Sequence, residues 1–146
     1  MLIRLFAASI FLWTAAVPDL RTGRIPVWIP AVFLPAAVMS ALFNPAATGR
    51  REPFAGAVPG LVLLLFSAVS GGKIGEGDGI CLLVCGLFVG IAGAVQITEI
   101  ALLLVLPAGA VLLMTKRSGA EDVMPFVPFL AAASTILMVC CGLERL

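Results

Sequence analysis

The chain has 146 residues, 62% of them hydrophobic, with a net charge of +1, no histidine and a mean hydropathy of +1.18. Only nine basic and eight acidic side chains are present, about half the share of charge in a soluble domain. This composition excludes a soluble enzyme, a disordered chain and a nucleic-acid binder that works through a basic face, and it removes the usual imidazole ligand for zinc, copper or haem.

The charges bound six uncharged stretches of 14 to 25 residues. A hydrocarbon core takes about 20 apolar residues per helix. The expected fold is therefore all-α, a polytopic membrane bundle of about six transmembrane helices. It forms a single transmembrane domain over residues 1–146, embedded in a lipid bilayer, with no extramembrane domain. The runs do not alternate in polarity, so β-barrel strands are not expected.

The first predicted helix is Leu2–Pro18. Its single Arg4, apolar run and small-residue cluster Thr14-Ala15-Ala16 also fit a signal peptide, but five further apolar spans make a retained anchor the simpler reading. The next helices are predicted at Val27–Phe43 and Phe54–Ser70, then at Gly79–Ile97 and, after a tight turn near Gln96–Glu99, at Glu99–Met114. Glu99 is read as a cap for that turn. The sixth helix is Met124–Gly142, preceded by the dipole-matching acids Glu121 and Asp122. Pro18, Pro26, Pro45, Pro53 and Pro125 mark boundaries, whereas Pro30, Pro35, Pro59, Pro107 and Pro128 fall inside helices. Gly56-xxx-Gly60 and Gly86-xxx-Gly90 permit close helix approach, within one chain rather than at a dimer seam.

Cys81, Cys85, Cys140 and Cys141 all fall inside predicted spans and form no CxxC pair. They read as small apolar packing residues, with a metal site or disulfide as the alternative. Arg50, Arg51, Lys116 and Arg117 read as loop anchors. The loops after helices 1, 3 and 5 carry five basic residues (Arg21, Arg24, Lys73, Lys116, Arg117) against four on the other side (Arg4, Arg50, Arg51, Arg145). That difference barely favours placing those three loops in the cytoplasm. An even number of crossings puts the first and third loops on one side whichever way the chain faces.

That shared side holds Asp19, in Asp19-Leu-Arg-Thr-Gly-Arg-Ile25-Pro26, and Asp78, in Gly75-Glu-Gly77-Asp78-Gly79. Asp78 by itself fits a helix cap. Five glycines within residues 71–79, however, let the backbone approach something closely. Acids at membrane depth are costly, and two on one side suggest a shared site. Paired carboxylates share a proton because both cannot ionise easily. The ionised one can take a proton from water while the protonated one polarises a carbonyl. Arg21 and Arg24 read as interfacial anchors, with the alternative of holding Asp19 ionised, and Glu76 reads as a solvated loop acid.

Three segments carry a family resemblance: Asp19-x5-Ile-Pro after a first helix, Gly75-x-Gly77-Asp78 opening a fourth, and Pro125-Phe126-Val-Pro128-Phe-Leu opening a sixth. In these the chain resembles the type IV prepilin peptidases, membrane aspartyl proteases of the GxGD class, across nearly its whole length. The resemblance implies that Asp19 and Asp78 are the catalytic pair. It further implies that Gly75, Gly77, Pro125, Phe126 and Pro128 shape the site, and that no metal or other cofactor takes part. The implied substrate is a prepilin or pseudopilin whose short basic leader is cut at the cytoplasmic face of the inner membrane, beside pilus-assembly machinery. Val27 stands where relatives often carry Asn or Asp, and Ile80 where many carry Lys, a role that would fall to Lys73. The cytosolic domain with two CxxC pairs is missing, so the resemblance is to the minimal Tad/Flp or archaeal peptidases, without methyltransferase activity. The departures at positions 27 and 80 leave open a non-catalytic scaffold subunit of the same fold. A small transporter or channel is the less favoured reading, because both acids fall at helix ends.

Overall fold

In a computed structural model, residues 2–43, 54–70, 75–114 and 125–143 are described, and all their regular structure is helical. Helix α1 is Leu2–Thr22 and α2 is Trp28–Phe43. A 3₁₀ turn at Ala55–Ala57 leads into α3, Val58–Val69. Helix α4 is Glu76–Met114, and α5 is Val127–Leu143.

Apolar side chains recur on α1 every three to four residues, which makes one buried stripe through Leu5, Ala8, Leu12, Ala15 and Ala16. That stripe packs against α5, α4 and α2. Phe11 of α1 meets Phe33 of α2 with ring centroids 5.2 Å apart and planes tilted by 50°, a favourable aromatic geometry. Helices α1 and α5 are joined by hydroxyls. Ser9 Oγ donates to Ser134 Oγ at 3.1 Å, which donates to the Ala131 carbonyl at 2.8 Å, and Trp13 Nε1 donates to Thr135 Oγ1 at 3.1 Å. Near the start of α1 the buried Arg4 donates through Nη2 to the Ser40 carbonyl of α2, while Nη1 has no hydrogen-bond partner among the described residues.

Helix α4 is broken at Gly90, with φ 80° and ψ 174°, a conformation essentially reserved for glycine. A methyl group on Gly86 would lie 3.4 Å from the Ala94 Cβ. Eight residues of straight helix would separate those positions by about 12 Å, so the limbs 76–89 and 91–114 fold back on each other. The turn therefore falls at Gly90 and not near Gln96–Glu99 as the charge spacing suggests. Glu99 is an exposed side chain within the second limb and caps nothing. The physical reason is that Gly90 is covered by the 3₁₀ turn, so the chain reverses inside protein before the next charge. Gly56 and Gly86 bring their backbones into contact there, and Gly60 lies directly on Leu83. Both small-residue spacings are thus consumed within the chain.

Leu2–Thr22 and the stretch Glu76–Val111 are long and apolar enough to cross a membrane, and Trp28–Phe43, Ala55–Val69 and Val127–Leu143 are shorter apolar helices. Three of the ten prolines occupy first helical turns, Pro30 in α2, Pro59 in α3 and Pro128 in α5, where the missing N–H has no intrahelical partner to lose. Pro18 lies within α1 and does not end it. The readings of Arg50, Arg51, Lys73, Lys116, Arg117, Glu121, Asp122 and Arg145 fall outside the described residues.

Candidate active site

Helix α1 runs one turn past Pro18 and stops at Gly23, whose φ of +60° and N–H bond to the Asp19 carbonyl (2.9 Å) make a left-handed helix cap. Asp19 therefore sits in the last helical turn and continues the buried stripe of α1. It is 5% exposed. Arg21 and Arg24, next in the chain, point to the exterior, as interfacial anchors do.

Helix α4 opens with Glu76, exposed in the first turn. The Asp78 N–H bonds the Gly75 carbonyl at 3.2 Å, which fixes Asp78 one turn into the helix. The two glycines of this segment do different work. A methyl group on Gly75 would stand 2.9 Å from Asp78 Oδ2, so the absence of a side chain there leaves room for the carboxylate. A methyl group on Gly77 would stand 2.8 Å from Ile25 Cδ1, so the loop after α1 rests on the backbone of α4. The first and second sequence segments are in direct contact through Ile25 and Gly77.

Helix α5 supplies the third wall. The Phe126 carbonyl accepts the N–H groups of Phe129 (3.0 Å) and Leu130 (3.2 Å). Pro128 has no N–H, so Val127 carries the unused donor of this first turn. That N–H lies near the Asp19 carboxylate. Pro125, Phe126 and Pro128 are half-buried around this contact, and Val127 is fully buried. Asp19 Oδ2 is enclosed without a hydrogen-bond partner among the described residues.

Asp78 lies close enough to Asp19 for the two carboxyls to interact electrostatically, and Cys81, fully buried one turn further along α4, lies in the field of both. Asp19, Asp78, Gly75, Gly77, Pro125, Phe126 and Pro128 thus converge at one end of the bundle, while Lys73 falls outside the described residues. Sequence reasoning missed the Val127 amide, the seat of Ile25 and the nearness of Cys81 to the aspartates. A donor flanked by two prolines and a cysteine three residues after Asp78 were the available signals. Among the described residues, no three His, Cys, Asp or Glu side chains are grouped to hold a metal ion. An apolar groove of about 370 Å³ runs beside the last turn of α1, between Val17, Pro18, Arg21, Trp28 and Phe33, and neither aspartate lines it.

No curated protein and no solved structure matches the chain. The model of one family, described as the type IV leader peptidase family, matches residues 6–143 and so takes in all three segments that build this site. The chain belongs to the type IV leader peptidase family.

Proposed function

We propose that this protein is a multi-pass aspartyl endopeptidase of the inner membrane that removes the basic leader of type IV prepilin-like substrates at the cytoplasmic face. The observation that carries this reading is the pairing of Asp19 with Asp78 at one end of the bundle, each placed by its own helix turn. A carboxylate and a carboxylic acid side by side suffice for peptide hydrolysis. The ionised group takes a proton from water as the water oxygen bonds to the scissile carbonyl carbon, and the protonated group gives its proton to the carbonyl oxygen. The gem-diol then collapses as the C–N bond breaks. The first group returns its proton to the leaving amine, and the second recovers a proton from a diol hydroxyl, so the pair ends as it began. The apolar groove beside α1 suits the hydrophobic helix that follows a prepilin leader.

Co-expression with a prepilin carrying a basic leader and a glycine before its apolar helix tests the reading. Asp19→Asn and Asp78→Asn each lower leader cleavage by about 10²- to 10⁴-fold, the usual worth of a general acid or base. Cleavage undiminished in both variants overturns the pair. An unprocessed substrate with the parent chain, together with its co-purification with pilus-assembly proteins, supports the scaffold reading instead.

A further inference from the structure

The geometry points to a fixed direction for the substrate across the aspartates: its apolar helix lies in the groove between α1 and α2, and its basic leader leaves on the far side of α4, where Glu76 receives it. This inference rests on the proteolytic reading above and adds which way the substrate lies and which residue reads the leader's charge. The exposed charges at this end of the bundle are sorted by element. Among the described residues, Arg21 is exposed on the last turn of α1 and Arg24 on the loop after it, while Glu76 is exposed on the first turn of α4. Asp19 is buried and Asp78 half-buried.

The groove is apolar along its length and cationic at its rim. It follows α1 from Thr14 to Thr22, about 12 Å, with Val17 and Pro18 on one side, Trp28 and Phe33 on the other and Arg21 near its loop end. Such a trough takes the side chains along one face of an apolar helix. The same Arg21, with Arg24 close by in the chain, repels lysine and arginine, so a basic leader is disfavoured there. The opposite side of the site has the opposite sign. Glu76 precedes Asp78 by two residues and leaves α4 about 200° around the axis from it, near the stripe of Gly79 and Leu83 that packs on Leu64 and Gly60 of α3. Those contacts set α3 antiparallel to the first limb of α4, so α3 ends at Val69 close to the level of Glu76. The negative end of α3 and the Glu76 carboxylate both favour a cationic segment. Asp19 leaves α1 on the side away from the groove, because neither aspartate lines it. The substrate therefore rounds the end of α1 as extended chain, which presents its peptide bond to the pair before the leader passes α4.

Photo-crosslinking to a prepilin with a basic leader and a glycine before its apolar helix tests the direction, in lipid nanodiscs and with Asp78→Asn to keep the substrate uncut. A benzoylphenylalanine replacing the exposed Trp28 is expected to capture the apolar helix, and one replacing the exposed Val69 the leader. The reverse pattern, or capture of neither segment, overturns the direction. Both captures with no cleavage by the parent chain defeat the proteolytic reading and leave the direction standing. The role of Glu76 is read from KM in a two-by-two comparison. Glu76→Gln is expected to raise KM for the basic leader about two- to fivefold more than for a leader whose lysines and arginines are replaced by glutamine, the size of an exposed charge pair. Glu76→Lys reverses the preference in favour of an acidic leader. Glu99→Gln, which removes another exposed acid, shifts both leaders alike. Equal effects of Glu76→Gln on the two leaders remove Glu76 from leader recognition.

Discussion

A single methyl group is enough to disturb the aspartate pair. At Gly75 it would press on the Asp78 carboxylate from 2.9 Å, so Gly75→Ala displaces an oxygen, not a remote packing atom. Cleavage by this variant is expected to fall by about 10- to 100-fold, the usual cost of a misplaced reacting group, with helicity by circular dichroism unchanged. At Gly77 the same methyl group meets the Ile25 side chain. Gly77→Ala should lower cleavage, and Ile25→Ala added to it should restore part of the loss by removing the atoms in the way. Additive losses in the double variant defeat the seating role of Ile25. The carboxyls were legible in the sequence because a chain with eight acids offers few suspects. The Val127 amide was not, since every residue but proline carries an N–H and only the fold says which one is left over.

At the scale of elements, most helices follow from apolar runs and their boundary residues, and the break in α4 shows where that logic fails. Hydropathy and charge see a span from Asp78 to Glu99, but the chain reverses at Gly90, an uncharged position inside it. The first limb, 14 residues or about 21 Å long, stops early because Gly56 and Gly86 allow the 3₁₀ turn to cover the reversal. Gly90→Ala places a side chain where only glycine is comfortable, and should cost about 1–3 kcal/mol in a denaturant titration of the detergent-solubilised protein. Gly109→Ala, in the second limb with open space around it, is the matched control, expected to be neutral or slightly stabilising.

The whole molecule is closed by pairing its first helix with its last. From the Ser9–Ser134 contact to the nearness of Asp19 and Val127 the two helices run in opposite chain directions, with Asp19 and Val127 at their shared end. Cys140, exposed near the far end of α5, then lies about 20 Å along the helix from Val127. In the proposed orientation, a membrane-impermeant maleimide added to spheroplasts labels a chain whose one cysteine is Cys140 and spares a chain whose one cysteine is at Thr22→Cys. Inverted vesicles give the opposite result. Labelling of position 22 from outside defeats the cytoplasmic placement of the site. The side shared by the first and third loops was readable from crossing parity alone, and the contact of Ile25 with Gly77 agrees with it. Which side faces the cytoplasm was not readable, because five basic residues against four hardly bias insertion.

The closure of α1 by α5 also sets a clock. Residue 127 leaves the ribosome 108 residues after residue 19, a delay on the order of ten seconds at ordinary rates of synthesis. Throughout that interval Asp19 lacks the wall that α5 supplies, and for the first half of it Asp78 has not been made. On the proposed reading the site is complete only when the last helix arrives, so a truncation ahead of Val127 is expected to lower leader cleavage.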